Sequence, residues 1–184
     1  MPRLYPLKDR IAPGVRVLFV GINPGIRSAQ IGHHFAGYSN RFWKLLFESR
    51  LVPEPLRPED DDRLPEWGLG ITNVIARPTP GMDSLKPSEY VAGARVLRRK
   101  VRRFRPPIVA FVGVTIYREV SGRRGAPVAC GLQTEPFEGA EVFVLPNPSG
   151  RNANFSYAEM LEQFRALARH ARRRSPRRRA PRGD

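Results

Sequence analysis

Short apolar runs alternate along this chain with longer segments whose apolar residues recur every three or four positions. The runs are rich in Val, Ile, Leu and Phe and end in Gly, Pro or Asn, a pattern typical of buried β-strands. The strands predicted in this way are residues 16–22, 69–74, 108–113 and 141–145, with a further strand within 128–137. The predicted helices are residues 42–50, capped by Asn40, then 87–105, 115–120, and 157 to about 170.

The alternation of strands and helices predicts a single-domain α/β protein. Its mostly parallel central sheet would be covered by helices on both faces, a three-layer α/β/α arrangement. A chain of 184 residues can form one such domain, which we assign to residues 1–170 with an irregular arm at 1–14. The Pro-rich, acidic stretch 53–65 is interpreted as a solvated loop or short helix, and residues 171–184 as a disordered basic tail.

The charge of the chain indicates a polyanionic partner. There are 32 Lys and Arg residues against 17 Asp and Glu, which gives a formal charge of +15. Such an excess favours nucleic acid as the partner. The seven arginines from 172 to 182 would add salt-sensitive affinity for phosphates. Binding to an anionic membrane surface, or an arginine-biased genome, would produce the same excess of charge.

Composition also narrows the choice of cofactor and compartment. Cys130 is the one cysteine, which excludes a disulfide within the chain and a Cys-ligated cluster. The three histidines offer too few ligands for a zinc site. No apolar run approaches the roughly 20 residues of a transmembrane helix, and the first residues lack the apolar region of a signal peptide. We therefore expect a cytoplasmic protein without a metal or cofactor, and by default a monomer.

Two of the predicted strands end in the same way, in Asn-Pro followed by a Gly turn. One of these segments is residues 17–25 and the other is residues 144–152. The carboxyl ends of parallel strands lie at one edge of a sheet, where open α/β sheets bind their ligands. Asn23 and Asn147 would then bring two amide side chains to one small polar ligand. The first loop has the spacing of neither a dinucleotide-binding nor a Walker motif.

Four motifs in consistent order make a more specific case. They are Gly-Ile-Asn-Pro-Gly at 21–25, Phe35 with Asn-Arg-Phe-Trp at 40–43, Gly-Ile-Thr-Asn at 70–73 with Arg-Pro-Thr at 77–79, and Asn-Pro-Ser-Gly at 147–150. In this combination the chain resembles the mismatch-specific uracil/thymine-DNA glycosylases, a branch of the uracil-DNA glycosylase superfamily. The similarity extends over about residues 12–170.

The resemblance implies an enzyme that acts on double-stranded DNA without a cofactor. It would flip out a mispaired uracil, or thymine or etheno-cytosine, and hydrolyse the N-glycosidic bond, which starts base-excision repair. By the same resemblance Asn23 would hold the attacking water and Thr79 would help to place it. Phe35 would stack on the flipped base, and backbone groups near Ile22 and Phe35 would contact its polar edge. Asn at position 23 implies weak activation of water and slow turnover.

Two further positions are assigned to the base pocket by resemblance. Asn73 stands where thymine-active animal relatives carry Asn and bacterial relatives often carry Lys, so its amide would bind the base or its water. A strand-end cap is the alternative for Asn73. Gly-His-His-Phe at 32–35 is similar to the animal branch, in which this stretch lies beside the base. His34 is therefore a candidate, because such a group titrates near neutral pH, and a surface histidine is the alternative.

The last of the four motifs is followed by residues that differ from the family. In relatives this loop wedges into the duplex and contacts the orphaned base, and bacterial relatives carry Leu and Arg where this chain has Arg151 and Ala153. Arg151 would fill the gap and hydrogen-bond a guanine, or else bind a phosphate. Asn147 belongs to the same loop, and Ser149 with the N–H of Gly150 would hold a backbone phosphate.

The sequence leaves other functions open. Within the superfamily the alternative is a general or single-strand-selective uracil-DNA glycosylase. Outside the superfamily, the first alternative is a non-catalytic DNA-binding module that uses the same groove at the strand ends and the same basic tail. The second is a nucleotide-binding α/β enzyme. A binding module predicts affinity for DNA without abasic product, whereas a glycosylase predicts abasic product.

Overall fold

Strands and helices follow one another in the order that the apolar pattern predicts. The computed structural model describes residues 4–174. Its strands are β1 (Val17–Gly21), β2 (Leu69–Asn73), β3 (Ile108–Val112), β4 (Gly131–Leu132) and β5 (Glu141–Leu145). Its α-helices are α1 (Ile26–Ile31), α2 (Phe42–Glu48), α3 (Pro87–Phe104), α4 (Val114–Ser121) and α5 (Tyr157–Arg174). The connections before and after β2 contain 3-10 helices at Pro58–Trp67 and Met82–Ser84.

The five strands form one sheet in the order β2-β1-β3-β5-β4. β2, β1, β3 and β5 are parallel, and the two-residue β4 pairs antiparallel with β5. The predicted mostly parallel α/β sheet is confirmed. From β1 the chain passes to β2 on one side and returns to β3 on the other. This change of direction makes a topological switch point at the carboxyl end of β1, where α/β sheets bind ligands.

Helices cover both faces of the sheet, as the strand pattern predicts. Successive side chains of a strand point to opposite faces, so Phe19 packs with α2 and α5, whereas Val20 packs with α3 and α4. On the first face α2 and α5 bury Phe42 and Phe164 completely. On the second face α3 buries Leu97 at 1% exposure. The two apolar layers fix the sheet between the helices and leave its carboxyl end open.

Three local predictions differ from the structure. No helix is predicted at Ile26–Ile31, because six residues are too few to show a helical period, yet α1 forms there. The strand expected within 128–137 is reduced to β4, an edge strand that starts at Gly131 with a φ of 111°. Helix α5 continues to Arg174, past the predicted domain boundary at residue 170. The last turn of α5 is attached to the start of β5, because Arg174 Nη2 donates a hydrogen bond to Glu141 Oε1 at 2.7 Å.

The acidic stretch is more buried than a solvated loop would be. Within the 3-10 helix at Pro58–Trp67, Asp61 is 0% exposed. Asp61 accepts a hydrogen bond from Arg10 Nε at 2.8 Å. It also lies 3.1 Å from His33 Nδ1 and accepts the backbone N–H of His34 at 2.9 Å. A buried carboxylate needs such partners, so Asp61 ties the N-terminal arm and the segment after α1 to the side of the sheet.

The predicted basic tail, residues 171–184, begins within the described residues. Residues 175–184 lie outside the described residues, as do residues 1–3. The first four residues of the tail instead complete α5, and its last turn exposes Arg172, Arg173 and Arg174. None of the helices in residues 4–174 is long and apolar enough to cross a membrane.

Candidate active site at the carboxyl end of the sheet

Three loops that follow strands meet at the carboxyl end of the sheet. We call residues 22–25 the β1 loop, residues 74–81 the β2 loop and residues 146–156 the β5 loop. Residues 33–41, between α1 and α2, form a fourth segment that we call the α1–α2 segment. Backbone hydrogen bonds join the β2 loop to the end of β1 and its loop: Val74 to Gly21, Ile75 to Ile22, and Thr79 to Pro24.

The Asn23 side chain lies between the β1 loop and the β2 loop. Its amide nitrogen Nδ2 donates to Thr79 Oγ1 at 2.8 Å and to the Arg77 carbonyl at 2.9 Å, with the Pro24 carbonyl at 3.3 Å. Because a carbonyl can only accept, these contacts fix which end of the amide faces the β2 loop. No group in residues 4–174 donates to the Asn23 oxygen Oδ1. Asn23 therefore presents an acceptor of fixed orientation, which suits a water molecule.

Thr79 is brought together with Asn23 and contacts it through its hydroxyl. The residue is 3% exposed, and its hydroxyl donates to the Gly81 carbonyl at 2.7 Å. The same hydroxyl accepts the hydrogen bond from Asn23 Nδ2 at 2.8 Å. A hydroxyl has one hydrogen to donate, so none remains for a water molecule in this arrangement. Thr79 therefore orients the Asn23 amide.

The carbonyl that orients Asn23 is itself held by an ion pair. Arg77 binds the Glu89 carboxylate of α3 through Nε at 2.8 Å and Nη2 at 2.9 Å. Arg77 Nη2 also donates to the Ser84 carbonyl at 2.9 Å. The hydrogen bonds from Arg77 lower the pKa of Glu89 to about 2, which keeps the pair charged at neutral pH. An exposed pair adds little stability, but this one fixes the course of the β2 loop.

Gly21, Asn73 and Phe35 meet where β1 and β2 end. Gly21 is opposite Asn73 in the parallel register. A Cβ atom on Gly21 would lie 2.5 Å from Asn73 Oδ1 and 3.4 Å from Phe35 Cζ. The space that glycine leaves is thus occupied by an amide and the edge of an aromatic ring. An aromatic ring beside a hydrogen-bonding amide can bind a planar heterocyclic base.

Phe35 adopts a backbone conformation that is unusual for its residue type. Its φ is 52°, in the left-handed region, which costs a non-glycine residue about 1 kcal/mol. The ring stacks on Phe42 with centroids 4.1 Å apart and planes at 22°. The next residue, Ala36, is held by a hydrogen bond from its N–H to Ser28 Oγ at 3.0 Å. Strain that the surroundings impose in this way is typical of functional sites.

Ile22 and His34 are held by contacts that a base-pocket role does not require. The Ile22 side chain packs on the α3 side of the sheet, and its carbonyl accepts the Ile75 N–H at 2.9 Å. The His34 ring lies 2.9 Å from the Lys8 carbonyl through Nε2 and is only 2% exposed, so His34 is not a surface histidine. Burial lowers the pKa of His34. The neutral ring anchors the N-terminal arm, while the His34 carbonyl accepts the Trp43 indole N–H at 3.1 Å.

The β5 loop is shaped by its own side chains. Asn147 Oδ1 accepts the Ser149 N–H at 3.0 Å, which forms an Asx turn. Asn152 Nδ2 donates to the Asn147 carbonyl at 2.9 Å, and Ser149 Oγ accepts the Arg151 N–H at 3.3 Å. Asn147 and Ser149 therefore set the conformation of the loop. Gly150 and Arg151 are exposed at its tip.

The α1–α2 segment anchors the β5 loop through residues to which sequence reasoning gave no role. Arg41 donates its N–H to the Pro148 carbonyl at 3.0 Å and Nη2 to the Ser149 carbonyl at 3.2 Å. A Cβ atom on Gly150 would lie 2.4 Å from the Cβ of Ser39, so the close approach requires glycine at this position. These contacts join two predicted motifs that are far apart in the chain.

Two arginines border the crevice between the loops. Arg151 Nη1 donates to the Pro80 carbonyl at 3.4 Å and so spans from the β5 loop to the β2 loop. The guanidinium carbon of Arg27 lies 3.8 Å from the centre of the Tyr38 ring, and Nη1 donates to the Tyr38 hydroxyl at 2.7 Å. Tyr38 is 89% exposed, which is unusual for an aromatic side chain. Neither Arg27 nor Tyr38 stands out in the sequence.

The groups that meet at the carboxyl end are amides, a hydroxyl, backbone carbonyls and an aromatic ring. They can orient a water molecule and hydrogen-bond the edge of a heterocycle, but they include no side chain that titrates near neutral pH. Residues 4–174 contain no cluster of three or more His, Cys, Asp or Glu side chains placed to hold a metal ion. The arrangement suits chemistry that depends on positioning.

Comparison with known proteins agrees with this geometry. A family model described as the uracil DNA glycosylase superfamily matches residues 9–170, which include all three loops. The fold is similar to the solution NMR structure of a protein from Methanosarcina acetivorans named as a candidate uracil DNA glycosylase, with a TM-score of 0.62 at 18% sequence identity. That similarity covers 91% of this chain and 98% of the other. From the extent of the family match, the chain belongs to the uracil DNA glycosylase superfamily.

Proposed function

We propose that this protein is a monofunctional DNA glycosylase for mispaired uracil in double-stranded DNA, with thymine and etheno-cytosine as further substrates. It would start base-excision repair by hydrolysing the N-glycosidic bond of the flipped nucleotide. One observation carries the proposal: the Asn23 amide is fixed by Thr79 and the Arg77 carbonyl, which leaves its oxygen as an acceptor. Asn23 is two residues from Gly21, where Phe35 and Asn73 meet. Membership of the superfamily supplies the class of reaction.

In the proposed reaction Asn23 Oδ1 accepts a hydrogen bond from a water molecule and directs its oxygen at C1′ of the flipped nucleotide. The bond between C1′ and the base nitrogen breaks, and its electron pair leaves with the base. The water oxygen then bonds to the oxocarbenium-like C1′, and the water proton passes to solvent or to the departing base. An amide cannot take this proton, so we expect a slow chemical step that is best measured in single turnover.

The base pocket would be formed by Phe35 and Asn73. The Phe35 ring would stack on the flipped base, supported from behind by its contact with Phe42 at 4.1 Å. The Asn73 amide would hydrogen-bond the base and stabilise the negative charge that it acquires on leaving. Flipping costs a few kcal/mol and least for a mispaired base. Selectivity for mismatches would therefore begin before the chemical step.

The β5 loop would hold the duplex while the base is out of the stack. Ser149 and the N–H of Gly150 would bind a phosphate, and Arg151 would enter the gap that the flipped nucleotide leaves. On DNA, Arg151 would exchange its contact with the Pro80 carbonyl for a hydrogen bond to O6 of an orphaned guanine. An arginine lacks the apolar wedge of the bacterial relatives, so we expect only moderate preference for guanine over adenine as the opposite base.

The experiment that tests this function is single-turnover base release in EDTA. Labelled duplexes carrying G·U, G·T, A·U or only G·C pairs are compared with single-stranded uracil DNA. We expect release to be fastest from G·U, slower from A·U and absent from G·C. Arg151→Ala should bring the G·U and A·U rates closer together, with Arg57→Ala as a remote exposed control. Binding to these duplexes without any abasic product would contradict the glycosylase activity and would indicate a non-catalytic DNA-binding module.

A further inference from the structure

The amino end of the sheet, opposite the candidate active site, carries a group of exposed arginines. Helices α3 and α5 both run from the carboxyl end toward the amino end, and both finish in arginine-rich turns. Five arginines in the last two turns of these helices or at the C-cap of α3 form no ion pair with an acidic side chain of residues 4–174. We call these exposed residues the amino-end arginines: Arg99, Arg103, Arg105, Arg172 and Arg173.

The ends of α3 and α5 lie on either side of one turn. Arg98 of α3 donates to Glu138 at 2.7 Å, and Arg174 of α5 donates to Glu141 at 2.7 Å. These two acidic residues are three positions apart in the turn that leads into β5. The nearby carboxylates are therefore already paired with other cations. The amino-end arginines are positive charges in excess of these carboxylates, and they lie at the ends of two helices that pack on opposite faces of the sheet.

Arg105 occupies a position where its residue type is unfavourable. It ends α3 with φ 47° and ψ 50°, a left-handed conformation that glycine or asparagine usually supplies. The side chain is exposed, and two residues later the Pro107 carbonyl accepts the Glu141 N–H at 2.9 Å, which places Arg105 beside the same turn. The helix dipole favours a cation at the C-terminal end of each of these helices. It does not account for five unpaired arginines or for one held in a strained conformation.

A duplex bound at the candidate active site would not reach the amino-end arginines. The two ends are separated by strands of five residues, about 16 Å at 3.3 Å per residue. A duplex that touched both would have to fold back on itself. Bending DNA by 40–90° over 20–30 base pairs already costs about 1–6 kcal/mol. The partner of this surface is therefore a separate segment of polyanion.

We propose that the amino-end arginines form a second DNA-binding surface, which holds a second duplex by its phosphates while the carboxyl end engages the first. The last two turns of α3 and α5 expose no large apolar side chain that could insert into a membrane. Contacts of guanidinium groups with phosphates are independent of base sequence and sensitive to salt. This inference rests on the proposed function only for the choice of DNA, rather than another polyanion, as the partner.

The test measures capture of a second duplex by the full chain. A short duplex with a stable abasic analogue opposite guanine first saturates the candidate active site, and a labelled undamaged duplex is then added. Native mass spectrometry distinguishes one protein with two duplexes from two proteins bridging them. The amino-end variant carries Arg103→Gln, Arg172→Gln and Arg173→Gln. The matched control removes the same charge from exposed arginines without an acidic partner in residues 4–174 that lie outside the last two turns of α3 and α5, with Arg57→Gln, Arg95→Gln and Arg165→Gln.

We expect the wild type and the matched control to capture the second duplex. The amino-end variant should bind the second duplex about tenfold more weakly. The slope of log K against log salt concentration should be shallower by about 2.7, which is about 0.9 for each of the three lost phosphate contacts. Single-turnover base release from a G·U duplex, measured separately, should be the same for all three proteins. Equal capture by the two variants would overturn the proposal. The proposal would also be overturned if the amino-end variant lost binding to vesicles of anionic phospholipid but still captured the second duplex. Absence of base release in the wild type would contradict the proposed function instead.

Discussion

The two ends of the central sheet hold their polar groups in different ways. At the carboxyl end the central groups are neutral and fixed: Thr79 is 3% exposed, and the amide nitrogen of Asn23 contacts three acceptors. At the amino end the groups are charged and exposed, and five arginines have no acidic partner in residues 4–174. The net charge of +15 therefore does not mark the candidate active site.

The difference follows from what each kind of group can do. A fixed amide or hydroxyl defines a direction at hydrogen-bond distance, which a reaction at one carbon atom needs. A flexible exposed guanidinium defines no such direction, but its charge attracts phosphates over about a Debye length, roughly 8–10 Å. We expect changes at the carboxyl end to alter rates and changes at the amino end to alter affinity and its salt dependence.

Apart from the loss of Asn23 itself, the largest effect on this comparison should come from filling the space at Gly21. In Gly21→Ala the new Cβ would lie 2.5 Å from Asn73 Oδ1, so the amide or the neighbouring Phe35 ring must move. A displacement of about 1 Å at a reacting centre costs about a hundredfold in rate. We expect a loss of that order in single-turnover release from G·U, with DNA affinity little changed.

Gly81→Ala is the matched control for this substitution. Gly81 lies in the β2 loop, has an extended φ of −163°, and a Cβ there would meet no atom within 4 Å. It should release uracil at the rate of the wild type. Equal rates for Gly21→Ala and the wild type would show that the Asn73 and Phe35 arrangement does not limit the reaction.

A smaller effect is expected at Thr79. In Thr79→Val the methyl group that replaces the hydroxyl cannot accept from Asn23 Nδ2 or donate to the Gly81 carbonyl. Asn23 keeps its contact with the Arg77 carbonyl, so we expect the single-turnover rate to fall about tenfold, the loss of one hydrogen bond of about 1.4 kcal/mol. Thr79→Ser retains the hydroxyl and should restore the rate. Failure of Ser to do so would contradict the positioning role.

Tyr38 tests whether the rim of the carboxyl end contributes to affinity. Its 89% exposed ring is held by Arg27 beside the β5 loop, where Ser39 contacts Gly150. Stacking of an aromatic side chain on a base contributes about 1–3 kcal/mol, so Tyr38→Ala should weaken binding to an abasic-analogue duplex about fivefold. Fluorescence anisotropy measures this change, with Phe47→Ala as an exposed apolar control away from the loops. Unchanged affinity would remove Tyr38 from the DNA contact.

The smallest effect concerns stability rather than DNA. Burial lowers the pKa of His34, although the Lys8 carbonyl and Asp61 oppose the change. The unfolded chain therefore binds a proton at pH values where the folded chain does not. Stability is complete above the ordinary His pKa of about 6.5 and falls as the pH drops through it, by less than the 1.4 kcal/mol per pH unit of one full proton.

Urea denaturation at several pH values measures this dependence. The charged groups near His34 are Asp61, Arg10 and Asp9. His34→Gln keeps a donor for the Lys8 carbonyl and should flatten the dependence between pH 7.5 and 5.5. A profile that is unchanged by His34→Gln would assign the dependence to another group.

Much of the fold could be predicted because its signals are local. The apolar period of α3 predicts residues 87–105, and the helix spans Pro87–Phe104. The strand at Ile108–Val112 is likewise evident from an apolar run after two prolines. The short helix α1 could not be predicted, because Ile26–Ile31 completes fewer than two turns. Local pattern thus identifies long elements and misses short ones.

The candidate site could be predicted only where a motif carries it. The motifs name Asn23 and Thr79, and the structure brings these side chains within 2.8 Å. The burial of His34 depends on Lys8 and Asp61, which lie 26 and 27 positions away. The anchoring of the β5 loop by Arg41 spans 108 positions. Such contacts exist only in the folded chain, so no local pattern indicates them.

The most direct test of the account is the single-turnover rate of Asn23→Ala on a G·U duplex at saturating enzyme. The substitution removes the oriented acceptor Oδ1 but leaves Phe35, Asn73 and the β5 loop in place. Thermal unfolding and affinity for an abasic-analogue duplex serve as controls for folding and binding. We predict unchanged binding and a rate at least about a hundredfold below the wild type, the scale of losing a preorganised catalytic group. A rate within about threefold of the wild type, a difference of less than 1 kcal/mol, would contradict the account.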